Sequence, residues 1–171
     1  DQAIFGDFFA QAPQRRTLIG SSIGSWRFAS ILAWGAKEGT ERLSNLYTNL
    51  SFHKKMSRQE VAHICQGMLI ELIQGQEQQL VDHPDYHLAV ISIKAQHIFQ
   101  SDLALPLLAS VAGIIGSNAL GRKHNRLFMQ RVISQPASGQ QFKVIDDFVT
   151  HYQTLNSDKA IPWLMASASL P

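Results

Sequence analysis

Hydrophobic and polar positions near the start of the chain change from a strand-like to a helix-like pattern. Residues 17–20 form a short apolar run that ends in glycine, which predicts a buried strand. Beyond Gly24 a stretch with few polar interruptions continues to Gly35, and it predicts a largely buried helix. Gly20 and Gly24 therefore flank a predicted turn between a strand and a helix.

Two amphipathic helices are predicted next along the chain. Apolar side chains recur with helical spacing over residues 40–50, at Leu43, Leu46, Tyr47 and Leu50. Ser57 is followed three residues later by Glu60, the pattern of a capping box, with a further apolar face beyond it. This pattern predicts a second helix that begins at Ser57 and ends near Gly75.

The later part of the chain contains three predicted strands. Residues 86–94 are almost continuously apolar and rich in β-branched side chains, which predicts a strand that is buried on both faces. Residues 128–134 and 148–155 predict two more strands, and the polar residues 135–141 between them predict a loop.

Helical patterns also occur in this part of the chain. The most apolar segment, residues 103–120, predicts one helix or two short ones. A last helix is predicted to end near Ala168, with Asp158 as its N-cap. Helices thus mix with strands along the chain, which predicts an α/β fold.

The length and charge of the chain limit the classes of function. Its 171 residues fall within the size of one domain, so a single α/β domain over residues 1–171 is expected. The 15 basic and 13 acidic side chains give a net charge of +2 without a basic patch, so nucleic-acid binding is not expected. Cys65 is the only cysteine, which excludes an intrachain disulfide and a cluster of thiolate ligands.

Histidine and aspartate are concentrated in "DHPDYH", residues 82–87. His83 and His87 are four positions apart, a spacing that aligns side chains only on a helix. Pro84 lies between them and prevents a regular helix. We interpret this segment as a turn, and we expect neither a metal site nor a cofactor.

The apolar residues 103–119 leave three interpretations open. Pro106, two glycines and three polar residues interrupt the segment, which is also shorter than the roughly 20 apolar residues of a membrane-spanning helix. It is a helix of the core, a lid or wall of an acyl-binding pocket, or a contact between subunits, and the oligomeric state is left open. The first ten residues lack the pattern of a signal peptide, so a cytoplasmic protein is expected.

Residues 20–24, "GSSIG", have the Gly-x-Ser-x-Gly pattern of a nucleophile elbow. In such an elbow a sharp turn exposes the serine, and small neighbours let the strand and the helix approach each other. Gly20 and Gly24 are expected to meet that need. Ser22 is then the candidate nucleophile, and the Ile23 N–H, at the positive end of the helix dipole, is one candidate oxyanion donor.

The segment "LIGSSIGSWRFAS" resembles the elbow of a bacterial branch of the patatin-like phospholipases. "AIFGDFF" is similar to the segment that precedes the elbow strand in that family, and "HPDYHLAVISIKA" to its next core strand. "AIPWLMASASLP" is similar to the end of a helix that carries the family pattern A-L-x-A-S-x-S-I-P. The elbow and the terminal Ala-Ser-x-Ser-Leu-Pro are the specific parts of this resemblance, which covers nearly the whole chain.

The resemblance implies a three-layer α/β/α fold with a mainly parallel central sheet. It also implies hydrolysis of lipid or other carboxylic esters by a Ser–Asp dyad, with Ser22 as the nucleophile and without a cofactor. The substrates would be lipids or small esters, and transient contact with a membrane surface would be compatible with them.

Two parts of the family pattern have no match among these residues. The family's aspartate stands in an Asp-Gly-Gly or Asp-Gly-Ala turn, and the sequence contains no Asp-Gly pair. The family's glycine-rich oxyanion loop has no match either, because no run of three glycines occurs. We therefore expect the chain to be an internal part of a longer protein, with an incomplete patatin-like domain and the Asp partner outside it.

Two alternative functions remain open at this stage. An α/β-hydrolase triad requires the chain order Ser, Asp, His, which Ser22, one of three aspartates and His151 satisfy. Those aspartates are Asp102, Asp146 and Asp147. The other alternative is a binding or scaffold protein without catalysis, in which the predicted helices within residues 40–74 form a surface for a partner.

Overall fold

The computed structural model describes residues 1–12, 14–95, 129–138 and 149–169. Within these residues the chain forms four strands and five α-helices, together with one π-helical and one 3-10 segment. In chain order they are the π-helical segment Gln2–Phe8, β1 Arg16–Ser21, α1 Ile23–Trp34, α2 Ala36–Thr48, α3 Arg58–Ile73, α4 Glu77–Asp82, β2 Tyr86–Ala95, β3 Met129–Gln135, β4 Thr150–Thr154, the 3-10 turn Ser157–Lys159 and α5 Ala160–Ala168.

The four strands form one sheet in the order β1-β2-β3-β4. β1 pairs with β2 in parallel, β2 with β3 antiparallel, and β3 with β4 in parallel. The expected α/β class and the mainly parallel sheet are therefore confirmed. Ser21 and Ile91 are the last paired residues of β1 and β2, so the turn into α1 begins at the carboxyl end of β1.

The described helices share one core with one face of the sheet. Leu18, Leu88 and Val90 point from β1 and β2 into a buried cluster with side chains of all five helices. Alternation along the strands places Ile19 and Ala89 on the opposite face. The second helical layer of a three-layer fold is not among the described helices, so that finer prediction stays a prediction.

The predicted strands occur within two residues of their expected bounds, but β2 differs from expectation at one end. Leu88, Ala89 and Val90 are fully buried, as a strand covered on both faces requires. Ile93, by contrast, is 54% exposed. The prediction that this strand is buried throughout on both faces is thus wrong for its last residues.

The capping box at the start of α3 is confirmed. Ser57 Oγ accepts a hydrogen bond from the Glu60 N–H at 3.2 Å, and Glu60 Oε2 accepts one from the Ser57 N–H at 2.7 Å. The bond from the Ser57 backbone lowers the pKa of the Glu60 carboxyl, because it stabilises the ionised form. α3 ends at Ile73, close to the predicted end near Gly75.

Two helix starts differ from the prediction. α2 begins at Ala36 instead of residue 40. Gly35, with a φ of 82°, is both the C-cap of α1 and the N-cap of α2, so no loop separates the two helices. α5 begins at Ala160, and the prediction of Asp158 as its N-cap is wrong. Asp158 lies instead in a 3-10 turn that the backbone closes by a bond from the Lys159 N–H to the Asn156 carbonyl.

Several predicted segments lie partly or wholly outside the described residues. The apolar segment 103–120 does so entirely. Of the predicted loop 135–141, Gln135 belongs to β3, residues 136–138 follow it, and the remainder lies outside. Among the helices that the structure describes, none is long and apolar enough to cross a membrane.

Candidate active site

Ser22 occupies the turn between β1 and α1 in a strained backbone conformation. Its φ is 53° and its ψ is −134°, and no other non-glycine residue in the described part of the chain has a positive φ. Such a conformation raises the energy of an L-residue by about 1–3 kcal/mol, and it is found mainly at functional sites. The side chain of Ser22 is exposed at the carboxyl end of β1, the edge of an α/β sheet at which ligands bind.

Gly20 allows the close approach that this turn requires. A Cβ atom at Gly20 would lie 2.6 Å from both the Cα and the N of Ser25, and 2.8 Å from the carbonyl carbon of Gly24. These are backbone atoms, which cannot move aside without moving α1. At Gly24 a Cβ would meet no described atom within 4 Å. The close approach that the motif requires is therefore observed at Gly20, whereas no such contact is found at Gly24 among the described residues.

The first turn of α1 presents backbone N–H groups beside Ser22. The N–H groups of Ser25 and Trp26 both donate to the Ser22 carbonyl, at 2.9 and 3.4 Å. Within the described residues no hydrogen bond is formed by the N–H groups of Ile23 and Gly24, as expected at a helix start. These two donors lie at the positive end of the helix dipole, where developing negative charge is stabilised.

Ser167 in α5 joins the elbow to β2. Its Oγ accepts a hydrogen bond from the Ser22 N–H at 2.9 Å and donates one to the Ile91 carbonyl at 2.6 Å. Since Ser21 and Ile91 are the last paired residues of β1 and β2, this hydroxyl links the two strands just beyond their ladder. Ser25 Oγ adds a bond of 2.7 Å to the Ser22 carbonyl. Both backbone polar groups of Ser22 are thus held by serine hydroxyls.

The part played by Ser167 was missed by the sequence reasoning. Ser167 belongs to the Ala-Ser-x-Ser-Leu-Pro segment that resembles the patatin-like family, yet nothing in the pattern indicated which residue its hydroxyl would contact. The available signal was a pair of serines among small residues at the end of an apolar helix. Ser169, the other serine of the pair, donates to the Met165 carbonyl of its own helix at 2.9 Å.

Trp26 and Arg27 follow the elbow in α1 and have different surroundings. Trp26 is 3% exposed, and its indole Nε1 donates to the Leu164 carbonyl of α5 at 2.9 Å. It therefore packs into the core beside the elbow. Arg27 forms an ion pair of 2.9 Å with Asp1 at the surface.

No acid or base reaches Ser22 within the described residues. The hydroxyl of Ser22 forms no hydrogen bond to a described carboxylate or imidazole. His151 lies in β4, where it pairs with Val132 of β3, and β4 is three strands away from β1. Three interstrand spacings of about 4.8 Å put it roughly 14 Å to the side. A triad of Ser22 with His151 is therefore wrong, and Asp102, Asp146 and Asp147 lie outside the described residues.

Within the "DHPDYH" segment, residues 83–85 connect α4 to β2, whereas Asp82 ends α4 and Tyr86 begins β2. His83 Nδ1 accepts hydrogen bonds from the N–H groups of Asp85 at 3.2 Å and Tyr86 at 3.3 Å. Burial lowers the pKa of His83, which favours the neutral imidazole that can accept them. In the described ranges no group of three or more histidine, cysteine, aspartate or glutamate side chains is arranged to hold a metal ion.

Comparisons with other proteins do not identify a family for this chain. No protein-family model matches it, and no curated protein or solved structure was found to be significantly similar to it. The likeness to the patatin-like phospholipases therefore rests on the residues of the elbow and of the last segment, whose serines, Ser22 and Ser167, lie in contact.

Proposed function

We propose that the protein is a serine ester hydrolase of the patatin-like type, with Ser22 as its nucleophile. The observation that carries this proposal is the positive φ of Ser22, the residue at the centre of the Gly-x-Ser-x-Gly pattern. A nucleophile elbow requires this strained turn between a strand and a helix. An ordinary serine turn would have no reason to retain the strain.

The surroundings of Ser22 support the same proposal. The hydroxyl is exposed, so an ester can reach it, and it stands at the carboxyl end of a parallel strand. The N–H of Ile23 is a proposed oxyanion donor, and the N–H of Gly24 is a second donor in the same helix turn. The side chain of Ile23 is 41% exposed and adds apolar surface beside the hydroxyl, which suits an acyl chain.

The proposed reaction has two steps. Ser22 Oγ attacks the carbonyl carbon of the ester, its proton passes to the base, and the alcohol leaves with that proton as the acyl-enzyme forms. Water then attacks the acyl carbon, the bond to Oγ breaks, and the carboxylic acid is released with Ser22 restored. No cofactor takes part. During each attack the carbonyl oxygen becomes negatively charged, and the N–H groups of α1 stabilise that charge.

The base in the proposed dyad is an aspartate. The patatin-like resemblance places it in an Asp-Gly turn, and the 171 residues contain no Asp-Gly pair. We therefore propose that this carboxylate is supplied from outside these residues. Lipid or small carboxylic esters are the proposed substrates.

The proposal is tested on the full-length protein that supplies the proposed aspartate, with a fluorophosphonate probe, which reacts with activated serines, followed by mapping of the modified peptide. We expect a single adduct on Ser22 and none in Ser22→Ala. Ser21→Ala is the matched control, because Ser21 is the adjacent serine, is also exposed, and should leave the labelling intact. An adduct on another residue, or the absence of both labelling and hydrolysis of p-nitrophenyl esters, would contradict the proposal.

A further inference from the structure

Among the described residues, Ser167 holds the Ser22 N–H through a buried side chain from a distant part of the chain. The two residues are separated by 145 positions, and their contact is a hydrogen bond of 2.9 Å from the Ser22 N–H to Ser167 Oγ. Ser167 is 9% exposed, so its hydroxyl is largely shielded from solvent. The contact is therefore a tertiary constraint on the turn.

The direction of this hydrogen bond is fixed by its partners. A backbone N–H only donates and a backbone carbonyl only accepts. Ser167 Oγ must therefore accept from Ser22 and give its own proton to the carbonyl of Ile91, at 2.6 Å. Ser25 Oγ lies 3.3 Å from Ser167 Oγ, but its proton has the closer acceptor in the Ser22 carbonyl, at 2.7 Å. The hydroxyl of Ser167 thus has one orientation that satisfies all its neighbours.

A fixed hydroxyl at this place opposes relaxation of the turn. Rotation of Ser22 from φ 53° toward an ordinary negative φ would swing its N–H away from Ser167 Oγ. The buried oxygen would lose a donor and the N–H would lose its acceptor, which opposes the change. The nucleophile would also move, and a displacement of about 1 Å in a reacting group is enough to slow a reaction roughly a hundredfold.

We propose that Ser167 is a positioning residue, which keeps Ser22 in its strained conformation and thereby aims the Ser22 hydroxyl. This inference rests on the proposed function as far as catalysis is concerned. Its structural part, the constraint on the Ser22 backbone, is independent of catalysis. Ser167 itself neither reacts nor touches the substrate.

The structural part is tested by amide hydrogen exchange, measured by NMR. In the wild type we expect slow exchange at Ser22, whose N–H is bonded to Ser167, and fast exchange at the neighbouring Ile23. Ser167→Ala should speed exchange at Ser22 at least tenfold, and Ser167→Thr, which retains a hydroxyl, should restore the protection. Fast exchange at Ser22 in the wild type would overturn the proposal even if Ser167→Ala failed to fold.

The catalytic part is tested by the rate of fluorophosphonate labelling at Ser22 in the full-length protein that supplies the proposed aspartate. We expect Ser167→Ala to slow it tenfold to a hundredfold, and Ser167→Thr to recover most of the rate. Ser169→Ala is the matched control, because Ser169 is the C-cap of the same helix and its hydroxyl donates to the Met165 carbonyl rather than contacting the elbow. Wild-type labelling rates in Ser167→Ala would overturn the inference. If the wild type is not labelled at all, the proposed hydrolase function fails, and the exchange data alone decide whether Ser167 constrains Ser22.

Discussion

The Cα of Ser25 lies only 2.6 Å from the place that a Cβ of Gly20 would occupy. β1 and α1 meet at this point with no room for a side chain, and Ser22 lies in the turn between them. The approach is made between backbone atoms, so it cannot be relieved by a change of rotamer. Among the described residues, the close backbone approach thus requires glycine at Gly20 and not at Gly24.

Gly20→Ala and Gly24→Ala are expected to have opposite effects on stability. Alanine at Gly20 must push α1 away from β1, and overpacking of this kind lowers the free energy of unfolding by about 1–3 kcal/mol or more. Alanine at Gly24 meets no described atom and lies within a helix, so we expect up to about 1 kcal/mol of stabilisation. Urea denaturation of both variants measures the difference, and equal destabilisation would contradict the close approach at Gly20.

Ser22→Gly is expected to stabilise the protein while removing the candidate nucleophile. Glycine adopts a φ of 53° without the strain that serine bears, so the free energy of unfolding should rise by about 1 kcal/mol. Ser22→Ala removes the same hydroxyl and keeps the strain, so its stability should stay closer to that of the wild type. Thermal denaturation distinguishes the two variants, and a less stable Ser22→Gly would show that the turn is not strained.

Acidification is expected to weaken the turn at His83. Burial lowers the pKa of His83 in the folded protein, whereas the unfolded chain has the ordinary histidine pKa of about 6.5. The contribution of His83 to the free energy of unfolding is thus complete above about pH 6.5, and it is lost as the pH falls toward the lower pKa of the folded state. Nearby Asp85 opposes the shift in pKa, and His87 adds to it.

His83→Asn gives the matching variant for this titration. An asparagine oxygen can accept the N–H bonds of Asp85 and Tyr86 without titrating. We expect the stability of His83→Asn to fall less between pH 7.5 and pH 5 than that of the wild type, as measured by urea denaturation. A pH dependence equal to that of the wild type would exclude His83 as its source.

Ser57→Ala is expected to destabilise α3 by about 1 kcal/mol, the usual effect of losing an N-cap hydroxyl. The variant loses the bond from the Glu60 N–H to Ser57 Oγ. Ser51→Ala is a suitable control, since Ser51 is an exposed serine shortly before the helix. The urea concentrations at the midpoint of unfolding are measured for Ser57→Ala and Ser51→Ala. Equal midpoints for the two variants would contradict a stabilising role of the Ser57 cap.

The local features of this protein were predictable from its sequence because each depends on residues close together in the chain. The capping box needs only Ser57 and Glu60, three positions apart. The elbow needs a strand-like run, a helix-like run and a serine between them, so Ser22 was identifiable. Gly20 could be assigned its packing role for the same reason.

Other features depend on contacts that no local pattern contains. Ser167 and Ser22 meet only because α5 packs against α1 and β2, so neither residue indicates the other. Asp158 has a side chain suited to an N-cap, but it lies in the 3-10 turn, one residue before Lys159, which is the N-cap of α5. Gly24 looked equivalent to Gly20, yet only the path of the strand determines which glycine is crowded.

The hydrogen bond between Ser22 and Ser167 joins a segment that is synthesised early to one that is synthesised late. The ribosome makes the elbow long before it makes α5, so a nascent chain that ends before residue 167 has nothing to hold the Ser22 N–H from that side. A contact between such distant residues must first overcome the entropy of closing a long loop. The bond from the Ser22 N–H to Ser167 Oγ therefore forms only after α5 has been made and has packed beside the elbow.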